Sequence, residues 1–150
     1  MRKRFISLLL LFGLLLSACN ANDELSGRTF EIATHSPEMQ IEDSDRFSPI
    51  VTLNFSEGNV FSNPIYGEGT YELNDNVLVL HYENENESLN LRFELSESDN
   101  DYSEYAVEIS GVDFEMKDLD KVSHYEDLPF KFDKNSPMEF IERKVEDGDS

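Results

Sequence analysis

Three histidines, one cysteine and 32 acidic side chains are the groups in this sequence that could do chemistry. His35, His81 and His124 are too scattered for a zinc site, which typically takes two histidines about a helical turn apart. They are expected at the surface, His81 on the outer face of a strand and the other two in loops. Asp99-Asn100-Asp101-Tyr102-Ser103-Glu104 sets oxygen ligands at alternate positions, as calcium loops do. Its sixth place holds Glu104 where such a loop needs glycine, and its twelfth holds Ser110 where it needs glutamate. A solvated hairpin loop is the expectation there, and no metal site is expected. Carboxylates adjoin one another in many places, yet no pair stands out as acid and base. Neither a Gly-x-Ser-x-Gly elbow nor a glycine-rich phosphate loop occurs. The chain is therefore not expected to be an enzyme or to carry a cofactor.

The cysteine is a different case. Arg2, Lys3 and Arg4 precede an apolar run at 5–16, too short for a membrane-spanning helix, which needs roughly 20 residues. Leu16-Ser17-Ala18-Cys19 follows directly and resembles the lipobox of bacterial lipoproteins. That resemblance implies a signal peptide at 1–18, a diacylglyceryl thioether on Cys19, and cleavage that makes Cys19 the new N-terminus. The protein is then expected on the extracytoplasmic face of the cell membrane. Two acyl chains hold a protein there stably where one is marginal. A plain signal peptide would instead leave a lone thiol in an oxidising compartment.

Residues 1–18 carry three of the 12 bases and none of the 32 acids. Their removal leaves 132 residues with a formal charge of −23 and no disulfide. A chain of that length can build one apolar core. Its charge argues against nucleic acid, which is bound through Lys/Arg patches. It also argues against lying face-on to an anionic bilayer. It is compatible with a simply solvated surface, with cation binding, or with a basic protein partner.

From Arg28 onward the apolar pattern has period two, the mark of half-buried strands. Strands are expected at 28–33, 50–55, 59–62, 67–73, 77–83, 88–96, 105–110, 112–117, 128–133 and 138–143. Turn residues separate most of them, including Glu57-Gly58, Asp75-Asn76, Glu85-Asn86, Ser110-Gly111 and Asn135-Ser136-Pro137. A turn at Glu85-Asn86 sets Tyr82 opposite Leu89, Leu80 opposite Leu91 and Leu78 opposite Phe93. A turn at Asp75-Asn76 sets Leu73 opposite Leu78 and Tyr71 opposite Leu80. A turn at Ser110-Gly111 would pair Ile109 with Val112, Val107 with Phe114 and Tyr105 with Met116. A slip of one residue would invert each face, so the agreement of apolar with apolar is informative. Residues 34–49 form a long loop, and Leu119, Val122 and Tyr125 suggest a short helix at 118–127. The fold class is all-β: an antiparallel up-and-down meander of 8–10 strands, closed into a small barrel to protect its edges, with a two-sheet sandwich as the alternative.

Leu25-Ser26-Gly27-Arg28-Thr29-Phe30 opens the first strand, a long loop follows, then the meander, and a final strand ends with Arg143. This order resembles the lipocalin/calycin family, and within it the short lipid-anchored YxeF-type lipoproteins of Gram-positive bacteria. Gly27 matches the glycine of the family's Gly-x-Trp signature. The chain has no tryptophan, and the resemblance implies that Phe30 plugs the barrel base with Arg143 stacked over it. It implies a lipidated tether at 19–26, a barrel domain at 27–145 and an acidic tail at 146–150. It also implies a cup for a small apolar ligand, with 34–49 as lid.

The ligand-binding wall of that cup would be Tyr71, Leu73, Leu78, Leu80, Tyr82, Leu89, Leu91 and Phe93. Large aromatics at so many inward positions could equally fill a small barrel. Two functions therefore stand open: a lipid-anchored carrier of a small hydrophobic molecule, or a non-enzymatic module with a filled barrel whose acidic surface docks a cationic or basic partner.

Overall fold

Period-two patterning builds eight strands in the computed structural model, which describes residues 24–35, 47–99, 103 and 105–144. They are β1 Thr29–His35, β2 Phe47–Ser56, β3 Val60–Asn63, β4 Gly67–Asn74, β5 Val77–Glu83, β6 Glu87–Glu97, β7 Tyr105–Met116 and β8 Met138–Arg143. Each pairs antiparallel with the next, and β8 returns to β1, so the meander closes into a barrel. The architecture is consistent with a lipocalin-like fold. Residues 1–18, Cys19, the tip of the 34–49 loop, Asn100 to Tyr102, Glu104 and the tail at 146–150 lie outside the described residues.

The registers of the central hairpins are those expected from the apolar pattern. Tyr82 faces Leu89, Leu80 faces Leu91 and Leu78 faces Phe93; Tyr71 faces Leu80 and Leu73 faces Leu78. The turns have local causes. Gly58 and Asn59 both take positive φ between β2 and β3, as does Asp75 between β4 and β5, where glycine, asparagine and aspartate are the tolerated residues. Between β5 and β6 the Asn84 side chain accepts the backbone N–H groups of Asn86 and Glu87.

Four expectations fail, each for a physical reason. The turn at Ser110-Gly111 does not exist, and β7 runs through it as one twelve-residue strand along β6. The register shifts between Arg92 and Phe93, leaving Ser110 as a bulged residue. A bulge and a two-residue turn both put Ile109 and Val112 on the same face, so the sequence pattern fits either. Ile109 pairs with Phe93, Val112 with Leu91 and Phe114 with Leu89. Tyr105 faces Phe140, not Met116.

The expected strand at 128–133 is a 3₁₀ turn, Leu128–Lys131, with Pro129 in its first positions. Proline fixes φ and has no N–H for a ladder. The expected helix at 118–127 is a series of turns. Asp118 and Ser123 accept the backbone N–H groups of Asp120 and Glu126, which competes with helix. Leu119 and Val122, 86% and 94% exposed, bury nothing. Lastly, the 34–49 loop is shorter than expected, because Thr34 and His35 pair with Ser48 and Phe47.

Candidate functional site

The expected wall converges on the barrel interior from three adjacent strands. β4 supplies Tyr71 and Leu73, β5 supplies Leu78, Leu80 and Tyr82, and β6 supplies Leu89, Leu91 and Phe93. Leu73 is half-buried at the rim and the other seven are buried. Opposite them stand aromatic rings of other elements. Tyr71 packs edge-to-face on Phe55 at 4.7 Å, and Phe61 on Tyr82 at 5.0 Å. Tyr125 lies 5.2 Å from Tyr82, and Phe132 lies edge-on to Phe93 at 5.1 Å. With Leu128, these last two come from the β7–β8 connection at 117–137, which seals one end of the interior. Their spacing in sequence resembles helix or strand; their role in plugging the barrel has no local signature.

At the other end Phe30 stacks face to face on Phe140, with centroids 4.2 Å apart. Phe30 thus occupies the base as expected, but the cation over it is Arg28, 4.8 Å from the ring centroid, and not Arg143. Strand parity explains the correction. Arg143 faces Thr29, on the outer side of β1, and binds Glu31 there. Arg28 shares the parity of Phe30 and forms a two-bond pair with Glu142, at 2.9 and 2.8 Å. That pair holds the Glu142 carboxyl below the usual carboxylate range.

The plugged end is held by Glu87, a buried carboxylate that sequence reasoning missed. It accepts hydrogen bonds from the Ser123 hydroxyl, the backbone N–H groups of His124 and Tyr125, and the Asn84 amide. Burial acts to raise its pKa, but these donors outweigh burial and hold it below the ordinary glutamate value. Tyr66 donates to Asp127 at 3.3 Å, and the Lys131 ammonium lies 5.2 Å from the Tyr66 ring centroid. Among the described residues the buried Tyr82 hydroxyl finds no hydrogen-bond partner. Its pKa is pushed up by burial, and further by Tyr125 and Tyr66.

Two clefts are lined by described residues alone. One of about 200 Å³ is bordered by Leu25, Arg28, Leu73, Leu95 and Tyr105; another of about 210 Å³ by Val51, Thr52, Asn63 and Tyr66. Both are smaller than typical small-molecule pockets of ~300–1,000 Å³.

His81 sits on the outer face as expected, between Asn90 and Glu83. His124 lies exposed in a loop as expected, beside the Tyr66 and Tyr125 rings, whereas His35 is not in a loop but ends β1, paired with Phe47. Among the described residues no three His, Cys, Asp or Glu side chains gather as metal ligands would. No known family, curated protein or solved structure matches the chain. The reading of its function therefore rests on its own geometry.

Proposed function

We propose that this protein is a lipid-anchored, extracytoplasmic interaction module, a filled β-barrel that presents an acidic outer surface to a basic partner and performs no reaction itself. One observation carries the reading: the interior positions that would line a ligand cup are packed against the protein's own rings. Phe30, Phe61, Tyr82, Phe93 and Phe140 are among the largest fully buried side chains. A small barrel filled in this way is a scaffold. The formal charge of −23 without 1–18 favours cationic partners and fast, salt-sensitive association.

A carrier of a small apolar molecule is the second reading, favoured by the unpartnered Tyr82 hydroxyl, whose ring lies beside Tyr125. A ligand with one acceptor atom that displaced this plug would satisfy that hydroxyl.

The two readings separate by titration. The full chain in detergent micelles is titrated with a fluorescent fatty-acid analogue and, separately, with an oligolysine peptide. The module reading expects saturable peptide binding that weakens steeply between ~50 and ~500 mM NaCl, and no saturable binding of the fatty acid above that of empty micelles. The reverse pattern overturns it. The anchor has its own test: Cys19→Ala should abolish metabolic palmitate labelling, and labelling that persists would sink that assignment.

A further inference from the structure

β7 has a partner on one side only for most of its length. It pairs with β6 from end to end, but with β8 only through Tyr105, Ala106 and Val107. Beyond Val107 the barrel seam is not closed by a ladder. The β7–β8 connection does not substitute for one. Its backbone bonds run to Asn86 and within itself, as from Leu128 to Tyr125 and from Phe132 to Pro129. Over 108–116, every second residue of β7 therefore turns its N–H and C=O away from β6, with no backbone partner among the described residues. Such an edge is a template for an added strand.

The side chains along this edge specify what would fit. Past the bulge, Val112, Phe114 and Met116 share the inner parity, and Asp113 and Glu115 the outer. Val112 is 46% exposed and Phe114 is only half-buried, so the inner face here is incompletely covered. On the outer face Glu108 lies directly opposite Glu94 on β6, a like-charge pair that destabilises the sheet. Glu108, Asp113 and Glu115 form no ion pair among the described residues. A second copy of the same edge would bring these acids together, whereas lysines or arginines on an incoming strand would neutralise them.

We propose that the free edge of β7 at 108–116 is a docking site for an extended, basic polypeptide that adds to the sheet as a strand, with basic side chains outward and apolar ones inward. This rests on the interaction-module reading and gives it a place and a mode.

The test uses a blocked octapeptide of alternating lysine and valine, with two derivatives N-methylated on the lysines or on the valines. An added strand bonds β7 through only one of these sets. One derivative should lose at least about tenfold in affinity and the other should keep most of it. In the ¹⁵N-labelled full chain, bound peptide should slow exchange of alternate amides within 108–116. The double variant Asp113→Lys/Glu115→Lys should weaken binding roughly tenfold while its circular dichroism is retained. Equal binding of all three peptides with no protection at 108–116 would overturn the edge site and leave the module reading standing. Failure of both this peptide and oligolysine to bind would overturn both. Protection of the same amides in a concentration-dependent dimer, without peptide, would overturn the choice of occupant in favour of a second copy.

Discussion

Replacing Phe93 by alanine measures whether the barrel is filled. Phe93 is 0% exposed, lies on the inner face between Leu78 and Ile109, and meets Phe132 edge-on at 5.1 Å. Truncating a buried phenylalanine costs about 3–5 kcal/mol through lost burial and the cavity left behind. The aromatic pair is worth roughly 0.5–1.5 kcal/mol beyond its area, which places Phe93→Ala toward the upper end of that range. A domain of this size has a total stability of about 5–15 kcal/mol, so the variant should fold with little margin. Urea unfolding followed by tyrosine fluorescence suits a chain with six tyrosines and no tryptophan. The midpoint should fall and the slope should stay constant. Phe130→Ala, on an exposed ring of the same connection, should change stability by less than about 0.5 kcal/mol. Should Phe93→Ala fail to fold, Phe93→Leu gives the same comparison at a cost of about 1–2 kcal/mol. A loss below ~1.5 kcal/mol for the alanine variant would refute the filled-barrel argument, because the ring would then border replaceable solvent or ligand.

Acid should loosen the molecule through Glu87 and Glu142, whose pKa values are lowered in the fold. Their contribution is complete above the unfolded glutamate pKa of about 4.3 and is lost as pH falls through the lowered folded values; Glu87→Gln should cost about 1–3 kcal/mol at pH 7, and the difference from the parent should shrink as pH falls below about 4.3, as followed by urea unfolding across pH. Mutual repulsion of the carboxylates should be relieved by screening, so the melting temperature should be higher in ~0.5 M NaCl than in ~10 mM; a fall would count against the acidic shell as a destabilising term. Gly69→Ala should destabilise by about 1–3 kcal/mol, since a Cβ there would stand 2.4 Å from the His81 carbonyl oxygen and 2.8 Å from the Phe61 ring; thermal melting of that variant checks it.

Strand identity and hairpin register were legible in the hairpins that join β4, β5 and β6. Between Gly67 and Glu94 the turn residues and the two-residue period allow one alignment that puts apolar side chains on one face, and the structure has that alignment. The eight wall residues were legible for the same reason. What occupies the space in front of them was not. Tyr125, Leu128 and Phe132 reach the interior because the 117–137 connection folds back across the barrel end, and their contacts with Tyr82 and Phe93 span some 40 residues of sequence. Strand period decides which way a side chain points, whereas packing at such separations depends on where the whole chain has gone. The bulge at Ser110 was hidden for another reason: a bulge and a two-residue turn leave the same apolar pattern. The limit of distance hid the exchange of Arg143 for Arg28 at the base and the unpaired stretch of β7, which depend on β8, a strand distant from β1 in sequence but adjacent to it in the closed sheet.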